Sequence, residues 1–197
     1  IMPGSTFKPL YYSAAIDSRK ITEGTYILDE PTTFYNEDGT PYSPQNFKGE
    51  WKGSVLAWQA LAYSMNVASV KVLQTVGFDA AISRAAALLD ITDPIEIRKT
   101  FPRYYPLALG VIGVTPLKMA RAYAVFANGG KAITPIAIRY IEDRYGNIIA
   151  EPEKDAIQAL RQKSPQVISS QNAAIMIDML KRVVSSGTLA GTTQSGS

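Results

Sequence analysis

From Gly53 to Val70 the chain runs without a charged residue, and no other feature restricts its fold as much. The run approaches the length of a membrane span. Yet Gln59, Ser64 and Asn66 lie inside it, and polar side chains are costly to bury in lipid. A buried helix followed by a loop satisfies both facts, and such a helix needs a core around it. With 197 residues, 46% of them hydrophobic, the chain can supply one domain of ordinary size.

The flanking segments extend that reading. Ser54 is suited to cap a helix running to about Tyr63, and Val67 to Val76 and Asp79 to Leu89 read as two more helices separated by Gly77. Thr115 as N-cap and Pro116 as first helical residue open a helix with the stripe Leu117, Ala120, Ala124 and Ala127, closed by Asn128-Gly129-Gly130. Ile133 to Tyr140 and Asn147 to Ala150 are β-branched runs on either side of Asp143-Arg144-Tyr145-Gly146, which suits a hairpin. A last helix is expected from Ser170 to Val184, with Met176, Leu180, Val183 and Val184 inward. Between Thr25 and Gly53 the chain is rich in Pro, Gly, Asn, Asp and Tyr without sustained periodicity, so a long ordered loop with short strands is expected there. Loops of that length in compact domains are usually functional. The order of elements gives an α+β class with a large helical part and too little strand for a complete sheet.

Composition narrows the chemistry. The net charge is +3 and the basic residues are scattered, so nucleic acid is not an expected partner. There is no Cys and no His, which removes thiolate metal sites, a Cys nucleophile and any Ser-His-Asp triad. Acyl-transfer chemistry here must use Lys, a carboxylate or water. No signal peptide is visible in Ile1-Met2-Pro3-Gly4, and the chain reads as a fragment.

Ser5-Thr6-Phe7-Lys8 follows the Pro3-Gly4 turn signal and opens a segment that places Phe7, Leu10, Tyr11 and Ala14 on one helical face. The spacing puts a hydroxyl and an amine on one face, within reach of each other. A serine is a weak nucleophile until something takes its proton, and Lys can do so only if its pKa is lowered enough to leave it neutral. A helix start at Ser5 would also turn backbone N–H groups toward a developing oxyanion. Alone, a Ser and a Lys three apart are a weak signal.

Tyr63-Ser64-Met65-Asn66 lies between two expected helices and presents two short polar side chains from a tight turn. Ser64 could relay a proton to a leaving group, and Asn66 could bond a substrate amide and Lys8. The alternative is that Asn66 is an N-cap and Ser64 a loop hydroxyl.

Taken together, Pro3 to Pro9, the Ser-x-Asn element Ser64 to Asn66, Leu109-Gly110 with Val114 to Tyr123, Phe126 to Gly130 and the Ile141 to Gly146 turn resemble the transpeptidase domain of bacterial penicillin-binding proteins, most of all the bifunctional class A members. The resemblance spans nearly the whole chain. It implies a penicillin-binding protein / serine β-lactamase-like fold whose helical part is largely present and whose central antiparallel sheet is incomplete. It also implies residues 1–197 as a partial transpeptidase domain, with the glycosyltransferase domain and the membrane anchor outside this chain.

The activity implied is acylation of Ser5 by the D-Ala-D-Ala end of a peptidoglycan stem peptide, loss of D-Ala and transfer of the acyl group to an amine of a neighbouring strand. β-Lactams would trap the same serine. By position Lys8 is the base and Ser64 and Asn66 the second motif. No metal or organic cofactor is implied, and the place of action is the extracytoplasmic face of the cell membrane, reached only through the anchor.

The third motif of the family, Lys-Thr-Gly with a further Thr, is not intact. Leu189-Ala190-Gly191-Thr192-Thr193-Gln194 stands in its place, as though Gly191, Thr192 and Thr193 survived on the carboxylate-binding side while the preceding strand was lost. The tail suits an ordinary flexible end equally well. A missing segment between Ala190 and Gly191 and a second polypeptide segment completing the domain are therefore expected. Two rival functions remain at this stage: a serine β-lactamase, which needs a carboxylate to activate water, and a penicillin sensor acylated without turnover.

Overall fold

The computed structural model describes residues 1–163 and 165–191. A 3-10 turn, Gly4–Phe7, feeds directly into α1 (Lys8–Asp17). From Lys8 to Ile16 every residue of α1 is buried, so the helix is a central post without a solvent face. The inward stripe of Phe7, Leu10, Tyr11 and Ala14 is buried as expected. The remaining faces are covered too, because α3 (Asn66–Val76), α4 (Phe78–Leu89) and α8 (Ser170–Ser185) pack around the post. Polar groups inside this core are paired. Tyr11 OH donates to the Ser69 and Ala108 carbonyls, and Asn172 Nδ2 donates to the Ser13 carbonyl at 2.9 Å. Arg84 donates to Ser13 Oγ, to Asn172 Oδ1 and to Asp17, tying α4 to α1 and α8.

The uncharged run resolves differently from its expected form. Gly53–Leu56 is strand β4, paired antiparallel with β1 (Tyr26–Asp29) in the register Tyr26 to Leu56 and Asp29 to Gly53. Ser54 is thus a strand residue and not a cap. The helix α2 (Ala57–Ala62) starts after Leu56, whose backbone N–H is accepted by Gln59 Oε1. Because Gln59 turns back to satisfy its own helix end, a polar residue is tolerated inside the buried run. Among the described residues no single helix is long and apolar enough to cross a membrane; α3 and α4 pass that test only together and are bent by 101°. The bend falls at Gly77, with φ +85.

The loop from Thr25 to Gly53 holds β1 and the short antiparallel pair β2 (Phe34–Tyr35) and β3 (Pro41–Tyr42), as expected of an ordered loop with short strands. Helix α6 (Pro116–Ala127) has Thr115 as N-cap, its hydroxyl accepting from the Lys118 N–H. Two helices escape a reading by periodicity, α5 (Pro94–Thr100) and α7 (Pro152–Lys163). In α5 no residue is buried, and its start is set by the Asp93 side chain, which accepts from the Ile95 and Glu96 N–H groups. The late hairpin forms as β5 (Ile141–Glu142) and β6 (Ile148–Ala150) around the expected turn, but Ile133 to Tyr140 is not strand. Strand among the described residues is confined to three separate two-stranded pairs. The class is α+β with its central sheet incomplete.

Candidate active site

Ser5 is exposed on the 3-10 turn, one turn above Lys8, which is 1% exposed at the start of α1. Two close approaches hold that turn. Gly110, with φ +71, lies so near Gly4 that a Cβ there would overlap the Gly4 carbonyl oxygen. From α6 the Tyr123 hydroxyl donates to the Thr6 carbonyl at 2.9 Å, and burial pushes its pKa up to about 12, so it remains a donor. Leu109-Gly110 and the α6 segment therefore carry the family likeness for a physical reason: they pin the backbone on either side of Ser5.

The second motif comes to the same place from the turn between α2 and α3. Lys8 Nζ donates to the Ser64 carbonyl at 2.9 Å, to Ser64 Oγ at 3.1 Å and to Asn66 Oδ1 at 2.9 Å. Ser64 is held at φ +54, a region that costs a non-glycine residue about 1 kcal/mol or more. The strained turn aims both its carbonyl and its hydroxyl at the amine. Burial lowers the Lys8 pKa from 10.5 to about 7. Near neutral pH the amine is therefore divided between its two forms, and in the neutral form it can accept a proton.

Asn66 serves as more than a cap. Its Nδ2 donates to the Gln45 carbonyl at 2.8 Å, which fixes the amide so that Oδ1 faces Lys8. Its own backbone N–H, at the N-terminus of α3, is accepted by Asn46 Oδ1 at 3.0 Å. Gln45, Asn46 and, behind them, Asp29 escaped the reading of the sequence. The signal that pointed to them was the length of their loop.

Lys8 directs its donors to the second motif, and among the described residues no hydrogen bond joins it to Ser5. A groove of about 430 Å³ runs beside Ser5, lined by Leu61, Ser64, Tyr123, Leu180 and Leu189 among others. Val183 and Val184 also line it, so the far end of α8 faces this groove, where the expected inward stripe placed it in the core. The chain approaches the groove because Gly187 abuts the Ala62 carbonyl, where a side chain would not fit, and the Thr188 N–H donates to that same carbonyl. The chain then turns through Ala190 into an exposed Gly191 with φ +86. Thr192 and Thr193 lie outside the described residues. Glu153 and Asp155 lie in the first turn of α7 and Glu151 just before it, with Glu151 paired to Lys154 and Glu153 to Arg139. Among the described residues no group of acidic side chains could hold a metal ion.

A helical core around a Ser-x-x-Lys turn, with a Ser-x-Asn turn closing on the lysine, defines the serine–lysine class of penicillin-recognising folds. The penicillin binding protein transpeptidase domain family matches residues 1–196, and the chain belongs to that family. It is 36% identical over 199 residues to penicillin-binding protein 1A of Neisseria gonorrhoeae, covering 98% of this chain and 23% of that protein. It is 38% identical over 148 residues to penicillin-binding protein 1A of Pseudomonas aeruginosa, covering 75% of this chain and 17% of that one. The chain thus spans about a quarter or less of these relatives. The crystal structure of penicillin-binding protein 1A from Haemophilus influenzae superposes with a TM-score of 0.80 at 25% identity, covering 97% of this chain and 31% of that one. Penicillin-binding protein A of Mycobacterium tuberculosis, solved as an imipenem acyl-enzyme complex, shares the fold with a TM-score of 0.72 at 22% identity, over 93% of this chain and 43% of that one.

Proposed function

We propose that this chain is the nucleophile-bearing part of a D,D-transpeptidase that cross-links peptidoglycan stem peptides. The observation that carries the reading is the Lys8 amine, buried, half neutral near pH 7, and ringed by Ser64 and Asn66 beside an exposed Ser5. In the reaction Ser5 Oγ attacks the carbonyl of the D-Ala-D-Ala bond as its proton passes to Lys8. The C–N bond then breaks, and the departing D-Ala amine takes a proton from Lys8 through the Ser64 hydroxyl. An amine of a second strand attacks the ester and gives up a proton along the same path to Lys8; the acyl C–O bond breaks and Ser5 Oγ takes that proton back. A β-lactam presents a similar carbonyl and stops at the ester.

The remaining assignments rest on the family. The extracytoplasmic face of the membrane is the place of action, with anchoring and glycosyl transfer assigned to parts of the protein beyond these residues. A further segment completes the sheet over the groove beside Ser5, and Gly191, Thr192 and Thr193, which continue from the groove-lining Leu189, bind the substrate carboxylate. Transpeptidation is favoured over β-lactam hydrolysis because no carboxylate lines the groove beside Ser5 among the described residues.

A fluorescent penicillin tests the assignment. Stable labelling lost in Ser5→Ala supports it, rapid release of label indicates a lactamase, and absence of labelling in the native chain overturns it. Transfer of a model stem peptide to an added amine then separates a transpeptidase from a sensor.

A further inference from the structure

Met65 occupies the cap position of α3 and has no side-chain oxygen with which to satisfy the helix's first N–H groups. The cap comes instead from twenty residues earlier in the chain. Asn46 Oδ1 accepts from the Asn66 N–H at 3.0 Å and from the Val67 N–H at 3.3 Å. At the other end of the same amide, Nδ2 donates to both oxygens of Asp29, each at 2.8 Å, and to the Glu50 carbonyl at 3.1 Å. Donors face one end of the amide and acceptors the other, so only one orientation satisfies them all. Asp29 is fully buried at the end of β1, where one oxygen also accepts the Lys52 N–H at 3.0 Å. A carboxylate sealed in this way, with each bond directed at a donor, is rigid and costly to misplace.

We infer that Asp29 and Asn46 are positioning residues that fix the Ser64–Asn66 turn against Lys8, deepening the transpeptidase reading on which the inference rests. The chain of contacts is continuous. Asp29 orients the Asn46 amide, Asn46 holds the backbone of Asn66, and the Gln45 carbonyl beside it fixes the Asn66 side chain so that Oδ1 meets Nζ of Lys8. None of the three residues lines the groove beside Ser5. The length of the Thr25 to Gly53 loop is thereby accounted for, since it must carry Asn46 back over the start of α3 while leaving Asp29 buried against Lys52.

The test uses the full chain that carries these residues. Asp29→Asn replaces one of the two oxygens that face the Asn46 NH2 with a second NH2, Asn46→Asp sets two carboxylates against each other, and the double exchange Asp29→Asn with Asn46→Asp restores a donor facing an acceptor. Each single variant should lower the second-order constant for acylation by a fluorescent penicillin at least tenfold, and the double exchange should recover part of that loss. Hydrogen exchange should quicken at residues 64–67 in the single variants. Leu88→Ala, in the core of α4, supplies a fold destabilised to a similar melting temperature without touching the network. It should leave both readouts close to native when measured well below that temperature. Native-like acylation and exchange in folded Asp29→Asn would overturn the inference, as would an equal loss in Leu88→Ala or a double exchange worse than either single change. If the native chain is not labelled at all, the reading of Ser5 fails, and the positioning role still stands or falls on the exchange at residues 64–67.

Discussion

Lys8 Nζ lies 2.9 Å from Asn66 Oδ1, and both groups are held from behind, the amine by a helix buried on every side and the amide by a loop. Because burial rather than a neighbouring cation lowers the Lys8 pKa to about 7, acylation of Ser5 should rise with pH along a limb centred near 7. Added salt should barely move the midpoint, since screening acts on charges and not on desolvation. Lys8→Arg cannot lose its proton and should reduce acylation at least about a hundredfold, within the usual range for loss of a general base. Rate profiles between pH 5 and 9 at two ionic strengths check both points.

The same shift links stability to pH. The unfolded chain holds the Lys8 proton up to about 10.5 and the folded one only to about 7, so between those values the unfolded state binds more protons and stability rises with pH. Below about 7 both forms are protonated and the burden is constant. Lys8→Met removes the titration, so denaturation midpoints of native and variant proteins should converge or cross in the native protein's favour as pH climbs from 7 to 10. Parallel curves would contradict a lowered Lys8 pKa.

Ser64 is strained at φ +54, which predicts opposite effects on stability and activity. Ser64→Gly should be more stable than Ser64→Ala by about 1 kcal/mol, the cost of a side chain in the left-handed region. Both variants lose the hydroxyl that meets Lys8, so both should acylate slowly. Urea denaturation and penicillin labelling on the same samples decide this.

Gly110→Ala places a methyl group against the Gly4 carbonyl at a φ of +71. The 3-10 turn must shift, at a cost of about 1–3 kcal/mol in stability, and Ser5 shifts with it. Acylation should fall even though Gly110 is not among the residues lining the groove. Thermal melting combined with labelling checks the pair of effects.

Asn172→Ala is the complementary case. It strips the Ser13 carbonyl and Arg84 of a partner in the core and should cost about 1–3 kcal/mol. The pH midpoint of acylation should remain near 7, because the loss is on the face of α1 away from the amine.

The helical part was legible because its punctuation is local. Gly77 between α3 and α4 and Thr115-Pro116 at α6 act through their own backbone geometry or hydroxyl. What misled were positions decided by distant partners. Ser54 has a good cap side chain but pairs in a strand because β1 lies beside it. Ile133 to Tyr140 has the composition of a strand but no strand beside it among the described residues, so only Ile141 and Glu142 pair, with β6. At the site, Ser5, Lys8, Ser64 and Asn66 announce themselves by spacing. Asp29 and Asn46 do not, since their roles arise from contacts seventeen and twenty residues apart in the chain.

The burial of α1 has one last consequence. An amine whose pKa is lowered to about 7 is partly neutral near pH 7 and would ordinarily react with any electrophile that reached it. Lys8, at 1% exposed, is closed to such reagents. Its selectivity is enforced by architecture: a helix with no outer face lets the amine exchange protons through its neighbours while keeping foreign reagents out.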